Sequence, residues 1–156
     1  MVTVSPPEPW SYALHLPHDP RAPRVARMTL RAALSGHGIP ELLDTAELLT
    51  SEMVTNAYRH TEGAAAMRVR GFEGGRIRVG VWDSNPHIPP PFDRPPRMLG
   101  PAPDLAPDGE GGRGLLLVQL WADDWGGYPL GDDLFGRGGK LLWFELEAAP
   151  GLARAA

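Results

Sequence analysis

Residues 47–60 read ELLTSEMVTNAYRH and lie in a predicted helix that begins at Pro40 and reaches about His60. Apolar side chains recur along this helix at three- and four-residue steps, namely Leu42, Ala46, Leu49, Met53 and Ala57. Such a stripe is typical of a helix that packs one face on a core. Glu52 and Asn56 flank the stripe, so we expect them at the rim of the buried face, beside a cleft.

Glu52, Asn56 and His60 share one side of this helix, because at 100° per residue the last two lie about 40° and 80° from the first. A carboxylate and an amide oxygen one turn apart are hard oxygen groups that suit Mg²⁺ or an ordered water. A glutamate in that place can also accept a proton from an attacking hydroxyl. Alone, an E-x-x-x-N spacing is more often a solvated helix edge.

A strand and a helix are predicted before this segment. Residues 10–16 alternate large apolar with small or polar side chains, which favours a strand. Asp19-Pro20 predicts a helix start, with Asp19 as N-cap and Pro20 at the first helical position. That helix runs to about Leu34. It carries arginines at three- and four-residue steps, a stripe that could meet an acidic partner but is more often a solvated face: Arg21, Arg24, Arg27 and Arg31.

Residues 66–72 and 76–83 alternate on either side of Glu73-Gly74-Gly75, which predicts a β-hairpin. Asp83 directly follows the second of these strands. A carboxylate at a strand end can accept a hydrogen bond from an exocyclic amine. The alternative is an aspartate that only begins the next turn, together with Asn85-Pro86.

Residues 84–112 have a different composition, because nine of the 18 prolines lie between Pro86 and Pro107. Such a segment cannot form a regular helix or a central strand. A loop of this length in a compact domain is usually a functional lid or binding loop.

Glycines surround the next two candidate sites. Residues 109–114 read GEGGRG and precede a short apolar helix at 115–121, where backbone amides at a helix start favour anionic groups. A hinge without a ligand explains this run equally well. A strand interrupted by Gly126-Gly127 is predicted from about Trp121 to Tyr128. Lys140, the only lysine, follows Gly138-Gly139 and opens the strand 140–147, where it could simply anchor the strand end.

The order of elements predicts one α+β domain, a two-layer sandwich in which a mixed, mostly antiparallel sheet is covered by helices on one face. We expect this domain to span residues 10–147, with a Pro-rich lid at about 84–112 and flexible tails at 1–9 and 148–156. A chain of 156 residues suits a single domain.

Composition excludes several classes of function. A net charge of −4 argues against general nucleic-acid binding, which depends on neutralising phosphates. The absence of cysteine excludes disulfides and thiolate metal sites. We expect a cytoplasmic protein, since neither a signal peptide nor an apolar run long enough to span a membrane is evident.

Taken in order, these motifs resemble those of the GHKL superfamily of ATP-binding proteins, which have the Bergerat fold, and most of all its anti-sigma-factor serine kinases of the actinobacterial type. The helix segment 47–60 is similar to the family pattern E-L-V-x-N-A-x-x-H. Residues 111–118, GGRGLLLV, are similar to G-x-G-L-x-L-V, and residues 139–144, GKLLWF, resemble G-K-x-V-W-F.

The resemblance implies a role for each site residue. Asn56 would ligate Mg²⁺ between the phosphates of ATP, and Glu52 would be the general base that activates a serine hydroxyl. Asp83 would bind the adenine amine. The remaining nucleotide-binding residues would be His60, Gly112, Arg113, Gly114, Leu115 and Lys140. The implied protein is a serine/threonine kinase acting in transcription regulation, with a STAS-domain anti-anti-sigma protein or a sigma factor as partner and a homodimer as a further possibility.

One motif departs from the family. The pattern D-x-G-x-G is here Asp83-Ser84-Asn85-Pro86-His87, so both glycines are missing. These glycines let the backbone bend close to the nucleotide. Two alternatives to the kinase therefore stay open: an ATP-responsive regulator that captures its partner without phosphorylating it, and a degenerate domain with an empty pocket.

Overall fold

The structure is a computed structural model that describes residues 9–93, 113–131 and 138–148. The helices and strands in chain order are β1 (Trp10–Leu16), α1 (Ala22–Gly36), a 3-10 turn (Pro40–Leu42), α2 (Leu43–His60), β2 (Ala65–Phe72), a 3-10 turn (Glu73–Gly75), β3 (Arg76–Asp83), α3 (Arg113–Trp121), β4 (Asp124–Pro129) and β5 (Lys140–Glu147). Among these residues, no helix is long and apolar enough to cross a membrane.

The five strands form one sheet in the order β1-β2-β3-β5-β4, and every pairing between neighbours is antiparallel. β5 therefore lies between β3 and β4, although it follows both in the chain. The β3–β5 register places Asp83 opposite Lys140. This arrangement brings two of the predicted site residues to the same end of neighbouring strands.

Alternation in the strands produces a sheet with two unlike faces. One face is apolar and buried, with Met67 and Val69 on β2, Val79 on β3 and Phe144 on β5. The helices pack on this face, because α1 and α2 each present an apolar stripe to it. The other face carries the arginines of β2 and β3, which are exposed or half-buried: Arg68, Arg70, Arg76 and Arg78. The predicted α+β sandwich with helices on one face is confirmed.

α1 begins two residues later than the sequence suggests. Asp19 accepts a hydrogen bond from the backbone N–H of Arg21 at 2.8 Å, and α1 then starts at Ala22 with Pro23 in its first turn. Asp19 thus closes a turn before the helix instead of capping it. The difference arises because Pro23, the second residue of α1, also suits the first turn of a helix, where a missing N–H costs no intrahelical bond.

The remaining boundaries differ little from the predicted ones. β1 and β5 begin and end as expected. β4 is shorter than expected at its start, and it continues through Gly126-Gly127 to Pro129. Residues 84–93 contain no helix or strand, as predicted. The remainder of the predicted lid, residues 94–112, and both predicted tails except for Pro9 and Ala148 lie outside the described residues.

Candidate functional site

The second half of α2 carries three predicted site residues in three different environments. Glu52 is half-buried, Asn56 is only 7% exposed, and His60 is the exposed last residue of the helix. Asn56 is drawn inward by its buried neighbours Met53 and Ala57. In the part of the chain that the structure describes, neither the Asn56 amide nor the Glu52 carboxylate has a hydrogen-bond or ion-pair partner. Both groups are therefore free to accept an external ligand.

The first turn of α3 lies directly against Glu52. A Cβ atom added to Gly114 would collide with the Oε2 atom of Glu52 and would lie 2.9 Å from its Cδ atom. Only glycine can therefore stand at this position without displacing the carboxylate. Leu115 and Val118 hold α3 in place, since both are buried in the core. Arg113 begins the helix, and Gly112 lies outside the described residues.

Asp83 and Lys140 form a buried ion pair at the end of β3 and the start of β5. The Lys140 Nζ atom lies 2.9 Å from each carboxylate oxygen of Asp83. The Lys140 side chain is 2% exposed and the Asp83 side chain is 3% exposed. Lys140 also donates to the carbonyl oxygen of Asn85 at 3.1 Å. The ammonium is thus satisfied within the chain, and the predicted contact of Lys140 with a nucleotide stays a prediction.

Asn85 contacts three of the predicted site residues, although the sequence did not indicate it as a candidate itself. Its backbone N–H donates to Oδ1 of Asp83 at 2.8 Å, and its own Oδ1 accepts the N–H of His87 at 3.0 Å. Its Nδ2 donates to the carbonyl oxygen of His60 at 3.2 Å. The spacing Asp83-x-Asn85-x-His87 could have indicated these turn bonds. Aspartate and asparagine side chains commonly accept a hydrogen bond from the backbone N–H two residues later in the chain. We refer to Asp83, Asn85, Gly139 and Lys140 as the strand-end cluster.

Gly139 allows the strand-end cluster to close. Its φ is +103°, and a Cβ atom there would collide with the carbonyl oxygen of Asp83 and lie 3.0 Å from the Cα atom of Ser84. Any other residue would have to adopt an unfavourable backbone conformation and push β3 away from β5. The glycine before Lys140 is therefore required by the close approach of two backbones.

The first part of the predicted lid packs against the domain. Phe92 is 3% exposed, and its ring makes an edge-to-face contact with Trp125 on β4, with ring centres 5.4 Å apart and planes at 72°. Gly127 leaves room for this contact. A Cβ atom added to Gly127 would lie 3.3 Å from the Cβ atom of Phe92, which is a tight contact. Residues 84–93 are thus attached at both ends, to the strand-end cluster and to β4.

The structure joins the predicted site residues into two groups. Glu52 meets the start of α3, and Asp83 meets Lys140. The hydrogen bond from Asn85 to the His60 carbonyl links the strand-end cluster to the helix that carries Glu52 and Asn56. Within the described ranges, no three His, Cys, Asp or Glu side chains come together as a metal site.

The arginine stripe of α1 is largely occupied within the chain. Arg31 forms a bidentate pair with Glu47 of α2 at 2.7 and 3.1 Å, and Arg21 pairs with Asp19 at 2.8 Å. Arg27 donates to the hydroxyl of Ser51 at 3.4 Å. Of the four arginines, Arg24 alone has no partner among the described residues. The stripe thus helps to fix α1 on α2.

Comparisons with known proteins fit this geometry. The family model described as the histidine kinase-like ATPase domain matches residues 16–132, which include α2, Asp83 and α3. The fold is similar to a chain in the crystal structure of the SiaB–SiaC complex from Pseudomonas aeruginosa, with a TM-score of 0.65 and 16% sequence identity over 86% of this chain and 88% of that chain. No curated protein shows significant similarity to this sequence.

Proposed function

Because this chain belongs to the histidine kinase-like ATPase family, we propose that it binds ATP with Mg²⁺ and transfers the γ-phosphate to a serine of a partner protein. It would thus be a regulatory serine/threonine kinase of the anti-sigma-factor type. The observation that carries this proposal is the unpartnered carboxylate of Glu52, which lies against Gly114 at the start of α3. That is the place where a family member binds phosphates, and a carboxylate there can accept a proton.

The residues present fit ATP and Mg²⁺. Asn56 is only 7% exposed, its amide has no partner among the described residues, and amide oxygen is a suitable ligand for Mg²⁺. The first turn of α3, with Arg113, Gly114 and Leu115, would hold the phosphates together with Gly112 through backbone N–H groups at a helix start. His60 and Asp83 would lie towards the nucleoside. When bound, Mg²⁺ would neutralise part of the phosphate charge.

Glu52 would carry out the proton transfer. Its carboxylate would accept the proton of the serine hydroxyl while the serine oxygen forms a bond to the γ-phosphorus. The bond between that phosphorus and the β–γ bridging oxygen breaks, which leaves ADP and a phosphoserine. General-base assistance of this kind contributes about 10²- to 10⁴-fold to a rate.

We propose a STAS-domain anti-anti-sigma protein, a sigma factor or both as the partner, in the cytoplasm, and a homodimer as the acting form. The similar fold was solved as a complex of two proteins, SiaB with SiaC. That likeness supports partner binding as a use of this fold, while the partner's identity is taken from the motif resemblance.

Nucleotide binding is tested first, by thermal denaturation with ATP, ADP and GTP, with and without Mg²⁺. Ligand at 100 times its dissociation constant should stabilise the protein by about 2.7 kcal/mol. We expect a Mg²⁺-dependent shift for ATP that is lost in Asn56→Ala. No shift at millimolar nucleotide would favour a degenerate, empty pocket.

Phosphate transfer is tested next, with radiolabelled ATP and a panel of STAS-domain proteins. Glu52→Gln should bind ATP as the wild type does and lose transfer. Glu62→Gln is the matched control, because Glu62 is exposed and lies just beyond α2. Equal transfer by wild type and Glu52→Gln would contradict the assignment of Glu52 as base.

A second candidate function is an ATP-responsive regulator that captures its partner without phosphorylating it. The strand-end cluster favours it, because the Asp83 carboxylate already accepts bonds from Lys140 and Asn85 and is almost fully enclosed. A carboxylate engaged in this way has less capacity left to accept the adenine amine, so the nucleotide would be bound more weakly. Nucleotide-dependent partner binding with no phosphoserine in any partner would support this candidate.

A further inference from the structure

Asn85 occupies the position of the first glycine in the D-x-G-x-G pattern, yet it does not reproduce a glycine turn. No residue other than glycine has a positive φ in the described parts of the chain. The turn after β3 is made instead by side-chain hydrogen bonds, from the Asn85 N–H to Asp83 at 2.8 Å and from the His87 N–H to Asn85 at 3.0 Å. Pro86 also restricts Asn85 to extended conformations.

Asn85 is held at four atoms by three different parts of the fold. Besides the two turn bonds, its Nδ2 donates to the His60 carbonyl at the end of α2, and its carbonyl accepts a bond from Lys140 at the start of β5. The His60 carbonyl belongs to the last turn of α2, whose oxygens have no partner inside the helix. Asn85 therefore fixes the distance between α2 and the end of β3.

The position of Asn85 matters because one end of the proposed nucleotide site lies on α2 and the other lies at the end of β3. α2 carries Glu52 and Asn56, whereas β3 ends at Asp83. Asn85 also sets the direction in which residues 86–93 leave the sheet, and these residues end on Trp125 through Phe92. Loss of the Asn85 side chain would remove the bonds to the His60 carbonyl and the His87 N–H, and thus loosen the helix end and the first part of the lid together, while the backbone bonds of Asn85 to Asp83 and Lys140 would remain.

We propose that Asn85 is a positioning residue of the nucleotide site, which replaces the flexible glycine of the family by a rigid hydrogen-bonded turn. This inference rests on the proposed function for its ligand. Asn85 would not contact the phosphates of the nucleotide. It acts through Asp83 and the start of the lid, so it should affect the binding of ATP and ADP alike.

The test measures dissociation constants by calorimetry for the full chain and three variants. Asn85→Ala should raise the dissociation constants of ATP and ADP by the same factor, about tenfold. Asn85→Gly should be at least as weak, although it restores the family residue. His87→Ala is the matched control, since it keeps the backbone N–H that bonds to Asn85 and removes only an exposed side chain. Wild-type affinity in Asn85→Gly, or unchanged affinity in Asn85→Ala, would overturn the proposal.

A second measurement separates this inference from the proposed function. Amide hydrogen exchange of the nucleotide-free protein should become faster in Asn85→Ala across residues 84–93 and at the end of α2, and stay unchanged in β2. Unchanged exchange at 84–93 would overturn the inference. If the wild type binds no nucleotide, the proposed function fails, and the exchange data alone decide whether Asn85 holds the two elements together.

Discussion

The Lys140 ammonium lies 2.9 Å from both carboxylate oxygens of Asp83, and this pair closes the end of the sheet between β3 and β5. The two residues are 57 positions apart in the sequence and directly opposite in the β3–β5 register. Removing one partner of a buried ion pair leaves an uncompensated charge in a region that excludes water. The pair is therefore structural in this protein, whatever it also contributes to a ligand.

The first prediction follows from this pair. Lys140→Met should lower the free energy of unfolding by about 3 kcal/mol or more, because Asp83 would remain buried and charged without its partner. The double variant Asp83→Asn with Lys140→Met should recover part of that loss, since it removes both charges. Urea denaturation of the wild type, the single variants Lys140→Met and Asp83→Asn, and the double variant measures the effect. A double variant as unstable as the sum of the single variants would contradict a coupled pair.

The second prediction concerns Gly114 and Glu52. Gly114→Ala places a methyl group where the Glu52 carboxylate lies, so either the carboxylate or the start of α3 must move. We expect phosphate transfer to fall by about 10²-fold or more, in line with the loss of general-base assistance. The matched control is Gly36→Ala at the end of α1, where an added Cβ atom meets nothing within 4 Å. That control should leave transfer unchanged.

The third prediction uses Gly139 and separates backbone strain from collision. Gly139→Ala should destabilise the protein clearly more than Gly38→Ala. Gly38 also has a positive φ, +74°, but an added Cβ atom there meets nothing within 4 Å. The Gly38 variant should cost about 1 kcal/mol from strain alone. Equal losses in denaturation experiments would show that the approach of Gly139 to Asp83 is looser than the structure indicates.

The fourth prediction tests whether the start of the proposed lid belongs to the folded domain. Phe92→Ala removes a buried ring from its contact with Trp125 and should lower the free energy of unfolding by about 3 kcal/mol. Tryptophan fluorescence of the folded protein should also change. An unchanged free energy of unfolding would mean that residues 84–93 open independently of the rest.

The fifth prediction concerns acid pH. The hydrogen bonds that Asp19 accepts from Arg21, through the side chain first and the backbone second, lower the pKa of Asp19 from 3.8 to about 2. A carboxyl with a depressed pKa in the folded state contributes stability above its unfolded pKa and loses it as the pH falls towards the folded value. The midpoint of thermal unfolding for Asp19→Asn should therefore lie below that of the wild type at pH 7. The two midpoints should converge between about pH 4 and pH 2. A constant difference across that range would contradict the assignment.

The helices and strands with a strong apolar periodicity could be predicted from the sequence. The contacts between distant strands and the packing of the loop after β3 could not. The apolar stripe of α2 and the alternation in β2 and β3 determine which faces are buried, so these elements and the α+β sandwich were predicted from the sequence. The Asp83–Lys140 pair depends on a register between strands far apart in the chain, which no local pattern encodes. The place of Phe92 in the core was hidden by the prolines around it, which indicated only an irregular segment.

The strand order has a consequence for synthesis on the ribosome. β3 pairs with β2 early, but its other edge waits for residues 140–147, which are translated more than fifty residues later. Until then one edge of β3 has unpaired backbone N–H and C=O groups, the kind of edge that templates aggregation. Arrival of β5 closes this edge and completes the Asp83–Lys140 pair in one event. A pause in translation before residues 140–147 would therefore prolong the time for which this edge is unpaired.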